Sequence, residues 1–376
     1  MPEATPASLS PDAVRETAAV AAKRAAEAEA NRQLTPDVVE AIVHAGFVRH
    51  FVPAGYGGAA GGFAELLSAV TQVGEGCASA AWFASLTAGT GRLAAYLPEE
   101  GRREVWAEGP HAVIVGGLVQ AGTAERVSGG WRVRGQWPYV SGIAHSDWAL
   151  LCARTERGAR FFAVPRAAYG VADTWFNSGM RATGSNTLIL DETEVPEARS
   201  VALDDLLAGE APDARAVCHR VPMKAGNGLT LTAPLLGAAR GALRRWSELV
   251  RDKLLAPAGA ISGGVGRDSY ELTLARADGE VDAAALLLRR VAEVADQAPV
   301  DALLTARNGR DCALAADLLA TAADRLLRSS GSRGQSESEP LQRHWRDVTT
   351  GAGHAGLQLP AVAGAFVSRS ALPSAG

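Results

Sequence analysis

Apolar residues recur at helical spacing from Ser10 to about Glu108, shift to strand-like spacing near His111, and return to helical spacing from about Pro222. Ser10-Pro11-Asp12 reads as an N-cap, a first-turn proline and an acid at the positive end of a helix dipole, so an alanine-rich helix should follow. Thr35-Pro36-Asp37 repeats the signal before a short helix, and Gly46 supplies a left-handed stop. Residues 63–73, 79–96 and 98–107 continue the helical pattern. Short β-type runs come next at 112–115, 124–127, 131–134, 148–152, 160–164 and 187–190, with Ser128-Gly129-Gly130 as a hairpin turn. Antiparallel strands at this spacing predict a small barrel or sandwich. Helices are expected again over 230–251, 270–298, 300–328 and from about 341, rich in Ala, Leu and Arg in the manner of a bundle. The pattern therefore predicts an α+β chain in three parts: an N-terminal helical domain (1–109), a central antiparallel β domain (110–215) and a C-terminal four-helix bundle (216–376).

The 376 residues, 47% of them apolar, are enough for a large core, and no Ser/Gly/Pro-rich linker or charge block interrupts them. The net charge of -4 is interspersed, which leaves no electrostatic footprint for nucleic acid or an anionic membrane. Cys77, Cys152, Cys218 and Cys312 stand far apart, without C-x-x-C or histidines at ligand spacing, so neither a metal site nor a disulfide framework is expected. Met1-Pro-Glu-Ala-Thr5 lacks a leader's basic and apolar regions, and no apolar run reaches the roughly 18 residues that span a bilayer. A cytoplasmic enzyme is the expectation.

Two polar, glycine-punctuated segments stand out within the β region: Trp137-Pro-Tyr-Val-Ser-Gly-Ile-Ala-His-Ser-Asp-Trp148 and Gly179-Met-Arg-Ala-Thr-Gly-Ser-Asn186. Such turns present hydroxyls and backbone N–H groups to a flat, hydrogen-bonding ligand, although most Ser-Gly pairs only turn a hairpin. Arg181 with Thr183 and Ser185 suits a phosphate or the polar edge of a ring; a surface loop with one ordinary arginine is the bland alternative. No G-x-G-x-x-G follows a strand, which disfavours a nicotinamide site on this chain.

Together with Glu339-Pro-Leu-Gln-Arg-His-Trp-Arg-Asp347 and Gly351-Ala-Gly-His354, these segments resemble the acyl-CoA dehydrogenase superfamily. Within it, the chain is more similar to the oxygenase components of two-component flavin monooxygenases of the p-hydroxyphenylacetate hydroxylase and dibenzothiophene monooxygenase type. The resemblance implies reduced FMN or FAD (FMNH2 or FADH2) delivered by a separate NAD(P)H:flavin reductase, O2 as co-substrate, and a C4a-hydroperoxyflavin that hydroxylates an apolar or aromatic small molecule. It also implies a homotetramer.

By the same resemblance, Tyr139, Ser141, Gly142, Arg181, Thr183 and Ser185 contact flavin, with the Ser141 hydroxyl at N5. Trp137 is a further aromatic that could stack near the ring. His354, beside the substrate, is a candidate acid/base, and His145 is a second. Trp82 and Phe83 would line the substrate pocket. Arg346-Asp347 is expected to form a structural salt bridge of little net worth.

Dehydrogenation of an acyl thioester requires a carboxylate base, and the superfamily draws it from two places that are empty here: no Asp or Glu lies between Val221 and Trp246, or between Val348 and Gly376. Glu248 lies just outside the first window, behind Arg244 and Arg245, on what looks like a solvated face. The alternatives that remain are an acyl-CoA dehydrogenase or oxidase, and a non-catalytic flavin-fold binding protein.

Overall fold

The computed structural model describes residues 9–212, 215–255 and 266–370; the opening Met1–Thr5 stretch lies outside them. Five helices come first: α1 (Pro11–Asn31), α2 (Pro36–Ala45), α3 (Phe63–Gly74), α4 (Ala78–Ala94) and α5 (Glu99–Val105). Ser10 and Thr35 take the N-cap positions, yet neither side chain makes the capping hydrogen bond. At α2 the Asp37 carboxylate serves instead, accepting from Val38 N at 3.1 Å and from Thr35 Oγ1 at 2.6 Å. First-turn proline and acid thus start the helix without the expected cap. Gly46 ends α2 in the left-handed conformation, as its position predicted.

Seven strands follow: β1 (Ile114–Val127), β2 (Gly130–Val140), β3 (Trp148–Thr155), β4 (Gly158–Pro165), β5 (Gly170–Ala172), β6 (Asn186–Pro196) and β7 (Ser200–Ala202). They form one sheet in the order β5-β6-β2-β1-β3-β4-β7, rather than the expected barrel or sandwich. The pairing is antiparallel except between β1 and β3, which run parallel. The reason is topological. After the β1–β2 hairpin, the chain leaves β2, crosses the start of β1 through residues 141–147, and enters β3 on the far side. Two reversals make β3 parallel to β1, and they place the crossing segment at the end of the sheet.

β3 is apolar on both faces because both are covered. Leu150 and Cys152 share a core with Leu93 of α4, Val105 of α5 and the flanking Leu97 and Trp106. Ala149 and Leu151 face a second core around Trp137. The sheet curls so far that Trp131 of β2 meets Phe162 of β4, with β1 and β3 between them in the sheet, at 5.9 Å between rings. Trp137 fills the hollow, fully buried, donating from Nε1 to Cys152 O at 2.8 Å. It is a core residue and makes no stacking surface.

The remaining helices are α6 (Leu203–Ala208), α7 (Met223–Leu255), α8 (Arg267–Ala295), α9 (Ala302–Ser329), α10 (Gly331–Gly334), α11 (Pro340–Ala352) and α12 (Leu359–Val367). α7, α8, α9 and α11 bundle around Trp246, Leu288, Leu319 and Leu341, and their core is continuous with that of α1–α4. The four cysteines are reduced and buried; burial pushes the thiols of Cys77 and Cys152 up to about 11, and those of Cys218 and Cys312 up to about 12. Among the described residues no helix is long and apolar enough to cross a membrane, and no cluster of His, Cys, Asp and Glu could hold a metal ion.

Candidate active site

The crossing segment is pinned where it enters β3. Asp147 accepts from Val113 N at 2.8 Å through its side chain and donates its own N–H to Val113 O at 2.9 Å. Ser146 donates to Ile143 O at 2.6 Å and meets the Tyr169 hydroxyl at 2.7 Å. Ahead of these anchors Tyr139 and Gly142 adopt positive φ, 64° and 72°, and Gly142 is obligatory: a Cβ there would lie 2.4 Å from the Phe83 ring of α4. Non-glycine residues rarely hold such a φ, and Tyr139 does so while 69% exposed. Its ring stands edge-on to Trp175 at 6.1 Å.

Ser141 is the meeting point. Trp82 Nε1 of α4 donates to its Oγ at 3.1 Å, and Ser185 Oγ lies 2.8 Å away on the other side. Thr183 Oγ1 is 2.6 Å from Ser185 Oγ, and Gly142 N donates to Thr183 O at 2.7 Å. Two segments far apart in sequence are thus zipped together side by side. Sequence reasoning placed Trp82 and Phe83 in a substrate pocket; both are buried, one bonded to Ser141 and the other packed beneath Gly142.

The second segment hangs on the C-terminal bundle. Asp347 of α11 accepts from Met180 N at 2.6 Å, while Met180, with φ 52°, accepts from Trp175 Nε1 at 3.0 Å and from Thr183 Oγ1 at 2.8 Å. Gly179 presses against α11 so closely that a Cβ would lie 2.1 Å from Arg346 O. Burial raises the Asp347 carboxyl to about 6, against the stabilising Met180 N–H. Arg346 pairs with Glu29 of α1 and donates to Ser178 O, so the expected Arg346–Asp347 salt bridge is replaced by two separate clamps on this loop. A bridge between neighbours in sequence would need both side chains on one side of the helix; here Asp347 lies on the buried stripe and Arg346 reaches α1. Arg181 likewise ties elements together, donating to Glu29 O at 3.4 Å and Asn177 O at 3.2 Å.

Across from Ser141 stands His354, its ring 6.0 Å from that of Trp82. Its Nδ1 accepts from Gly356 N at 3.0 Å, and packing around the ring lowers its pKa although the residue reaches solvent. In the neutral ring this hydrogen bond assigns the proton to Nε2. His145 is 6.0 Å edge-on from Phe83, and its buried Nε2 has no partner within the protein. Burial lowers its pKa, opposed by a backbone contact with Leu34. Glu248 is exposed and paired with Arg245 at 2.8 Å, as a solvated face requires.

Asp347, Met180 and Trp175 were not expected in the site. A signal for the first existed: Leu341, His344, Asp347, Val348 and Gly351 share the buried stripe of α11, and a carboxylate on such a stripe must find a donor.

Residues 9–107 and 229–359 match family models described as acyl-CoA dehydrogenase N-terminal domain and C-terminal domain. The chain is 32% identical over 373 residues to the FADH2-dependent resorcinol hydroxylase oxygenase component of Rhizobium sp. (strain MTP-10005), covering 93% of this chain and 90% of that protein. It belongs to the oxygenase components of flavin-dependent monooxygenases, in the acyl-CoA dehydrogenase superfamily. Solved structures agree: 3-HSA hydroxylase from Rhodococcus sp. RHA1 superposes with a TM-score of 0.90 at 26% identity, over 95% of each chain. XiaF from Streptomyces sp., in complex with FADH2 and glycerol, gives 0.83 at 29% identity, over 95% of this chain and 93% of that one. As such an oxygenase component, this chain is a reduced-flavin-dependent monooxygenase.

Proposed function

We propose that this monooxygenase hydroxylates a phenol-like aromatic, with reduced flavin lying against the turn at Ser141-Gly142 and the substrate between that turn and His354. The observation that carries the reading is the line Ser141–Trp82–His354, which sets a hydroxyl and a neutral imidazole about one indole ring, on a chain lacking a carboxylate at either place from which a dehydrogenase draws its base. The residues present fit a flavin: the exposed Tyr139, the Ser141 hydroxyl and the backbone at Gly142 form one edge, and the unpartnered His145 Nε2 is a buried polar atom that a ligand would satisfy. Reduced flavin, when bound, activates O2 and delivers one oxygen atom to the substrate, the other leaving as water.

The protein's part is positional and protonic. Tyr139, held at a strained φ, would flank the ring plane. Ser141 would meet N5, with Thr183 and Ser185 behind it, while Arg181 fixes the loop instead of reaching for a phosphate. His354 carries its proton on Nε2 and is therefore a donor to a substrate oxygen in its resting state; acting as a base at Nδ1 would break the bond from Gly356 N. His145 Nε2, lacking a partner, is the complementary acceptor. Trp82 and Phe83 contribute the apolar floor that keeps the site dry.

A separate NAD(P)H:flavin reductase would supply FADH2 or FMNH2, in a cytoplasmic setting. Helix α12, mostly apolar with no buried residue, is the surface we assign to packing between copies in a homotetramer. The test is oxygen consumption with chemically reduced FAD or FMN against resorcinol, other phenols, indole and a thioether, with mass detection of products. Gain of one oxygen by a phenol supports the reading. Oxidation of the thioether alone, or of an acyl-CoA, overturns it.

A further inference from the structure

The hydroxyls of Ser141, Ser185 and Thr183 form a chain whose direction is fixed by its ends, and we infer that this makes Ser141 a committed acceptor that selects reduced over oxidised flavin. Each hydroxyl has one proton to give and two lone pairs to receive with. Thr183 gives its proton to Met180 O, a carbonyl that can only accept, at 2.8 Å. In the 2.6 Å contact between Thr183 and Ser185, Ser185 must therefore be the donor. Its proton spent, Ser185 can only accept in the 2.8 Å contact with Ser141, so Ser141 donates. At the other end, Trp82 Nε1–H, which can only donate, takes one lone pair of Ser141 Oγ. One lone pair remains and no proton.

An atom so placed welcomes an N–H and repels another lone pair. N5 of reduced flavin bears a hydrogen; N5 of oxidised flavin presents a lone pair. The inference rests on the proposed placement of N5 at Ser141. Given that, the oxidised ring either goes without a hydrogen bond at N5 or forces three hydroxyls to reverse, which leaves Thr183 Oγ1 and Met180 O facing each other at 2.8 Å with no proton between them. Ser185 and Thr183 are thus positioning residues for the choice of redox state, acting through Ser141. For an enzyme that receives reduced flavin from another protein and must discard oxidised flavin after turnover, this polarity favours loading and release alike.

The test compares equilibrium dissociation constants for FAD, by fluorescence, and for dithionite-reduced FADH2, by anaerobic ultrafiltration. Wild type should bind FADH2 more tightly. Ser185→Ala frees the Ser141 proton to be donated, and should tighten FAD by about tenfold, the worth of one hydrogen bond, with FADH2 within about twofold. Thr183→Val is nearly isosteric; it removes the sink for the Ser185 proton and should shift the ratio in the same direction, whereas Ser185→Thr should restore wild-type behaviour. A purely structural role predicts weaker binding of both forms and no change in their ratio, and that result, in folded variants, would overturn the inference alone. A wild type that binds neither FAD nor FADH2 would overturn the placement of flavin as well.

Discussion

The two groups that meet at Trp82, around Ser141 and around His354, are built differently. On the Ser141 side the hydroxyls are tied together within the chain: Trp82, Ser185, Thr183, Met180 and Asp347 form one connected set, and backbone bonds at Gly142 and Asp147 clamp both ends of the turn. On the His354 side a single bond from Gly356 N orients the imidazole, the residue is exposed, and the following helix α12 buries nothing. The first surface is preorganised, as a constant cofactor demands; the second is loosely specified, as suits a family whose members' names include different aromatic substrates. Under the proposed function, cofactor recognition and substrate recognition sit on elements of unequal rigidity.

The sharpest way to break this contrast is His354→Ala. Loss of a positioned acid/base or donor should lower product formation by about 100-fold or more, while the FADH2 dissociation constant stays within about twofold; a defect confined to flavin binding would place His354 on the wrong side. Next in size, Ser141→Ala should raise hydrogen peroxide released per reduced flavin consumed by about tenfold, the worth of one hydrogen bond, with substrate affinity unchanged. Unaltered coupling there would remove Ser141 from the flavin.

A smaller effect concerns how the rigid side is tied to α11, where two buried groups titrate with opposite sign. The Asp347 carboxyl is raised from 3.8 to about 6, so the folded state holds that proton more tightly than the unfolded chain does, and stability falls as pH rises from 3.8 through 6. Burial of His344 lowers its pKa to about 3, so the folded state refuses a proton that the unfolded chain takes, and stability falls as pH drops from 6.5 toward 3. Between about pH 4 and 6 the two slopes offset, which each variant should expose. In urea titrations, Asp347→Asn should make stability drop more steeply toward acid over that range, and His344→Leu should reverse the trend, each by up to about 3 kcal/mol across the window. Parallel curves for both variants would mean that neither group is buried in solution.

The three-part order of helices and strands was legible because hydrophobic periodicity reports burial directly, and most helices lie within a few residues of expectation. The sheet was not legible as one curled layer. Strand-like runs do not say which strand neighbours which, and the parallel β1–β3 pair follows from a crossing that only tertiary structure reveals. For the site, Ser141, Gly142, Thr183 and Ser185 stood out as polar residues at glycine turns. Trp82 and Phe83 were noticed as aromatics, but their actual partners, a hydroxyl and a glycine some 60 residues away, leave no trace in local pattern. Asp347 was misread for a related reason: its neighbour Arg346 offered an obvious partner, and the backbone N–H that it binds, at Met180, belongs to a loop far away in the sequence.

The depth of the four cysteines has a bearing on working beside oxygen. Peroxide attacks thiolates, and with pKa values of about 11 to 12 these sulfurs stay almost wholly as thiols at neutral pH, behind protein that excludes the oxidant. Native protein should resist iodoacetamide, and leaked peroxide should find no sulfenic acid to make and no disulfide to close. A catalyst whose uncoupled cycles generate its own corrosive by-product has kept its softest atoms out of reach.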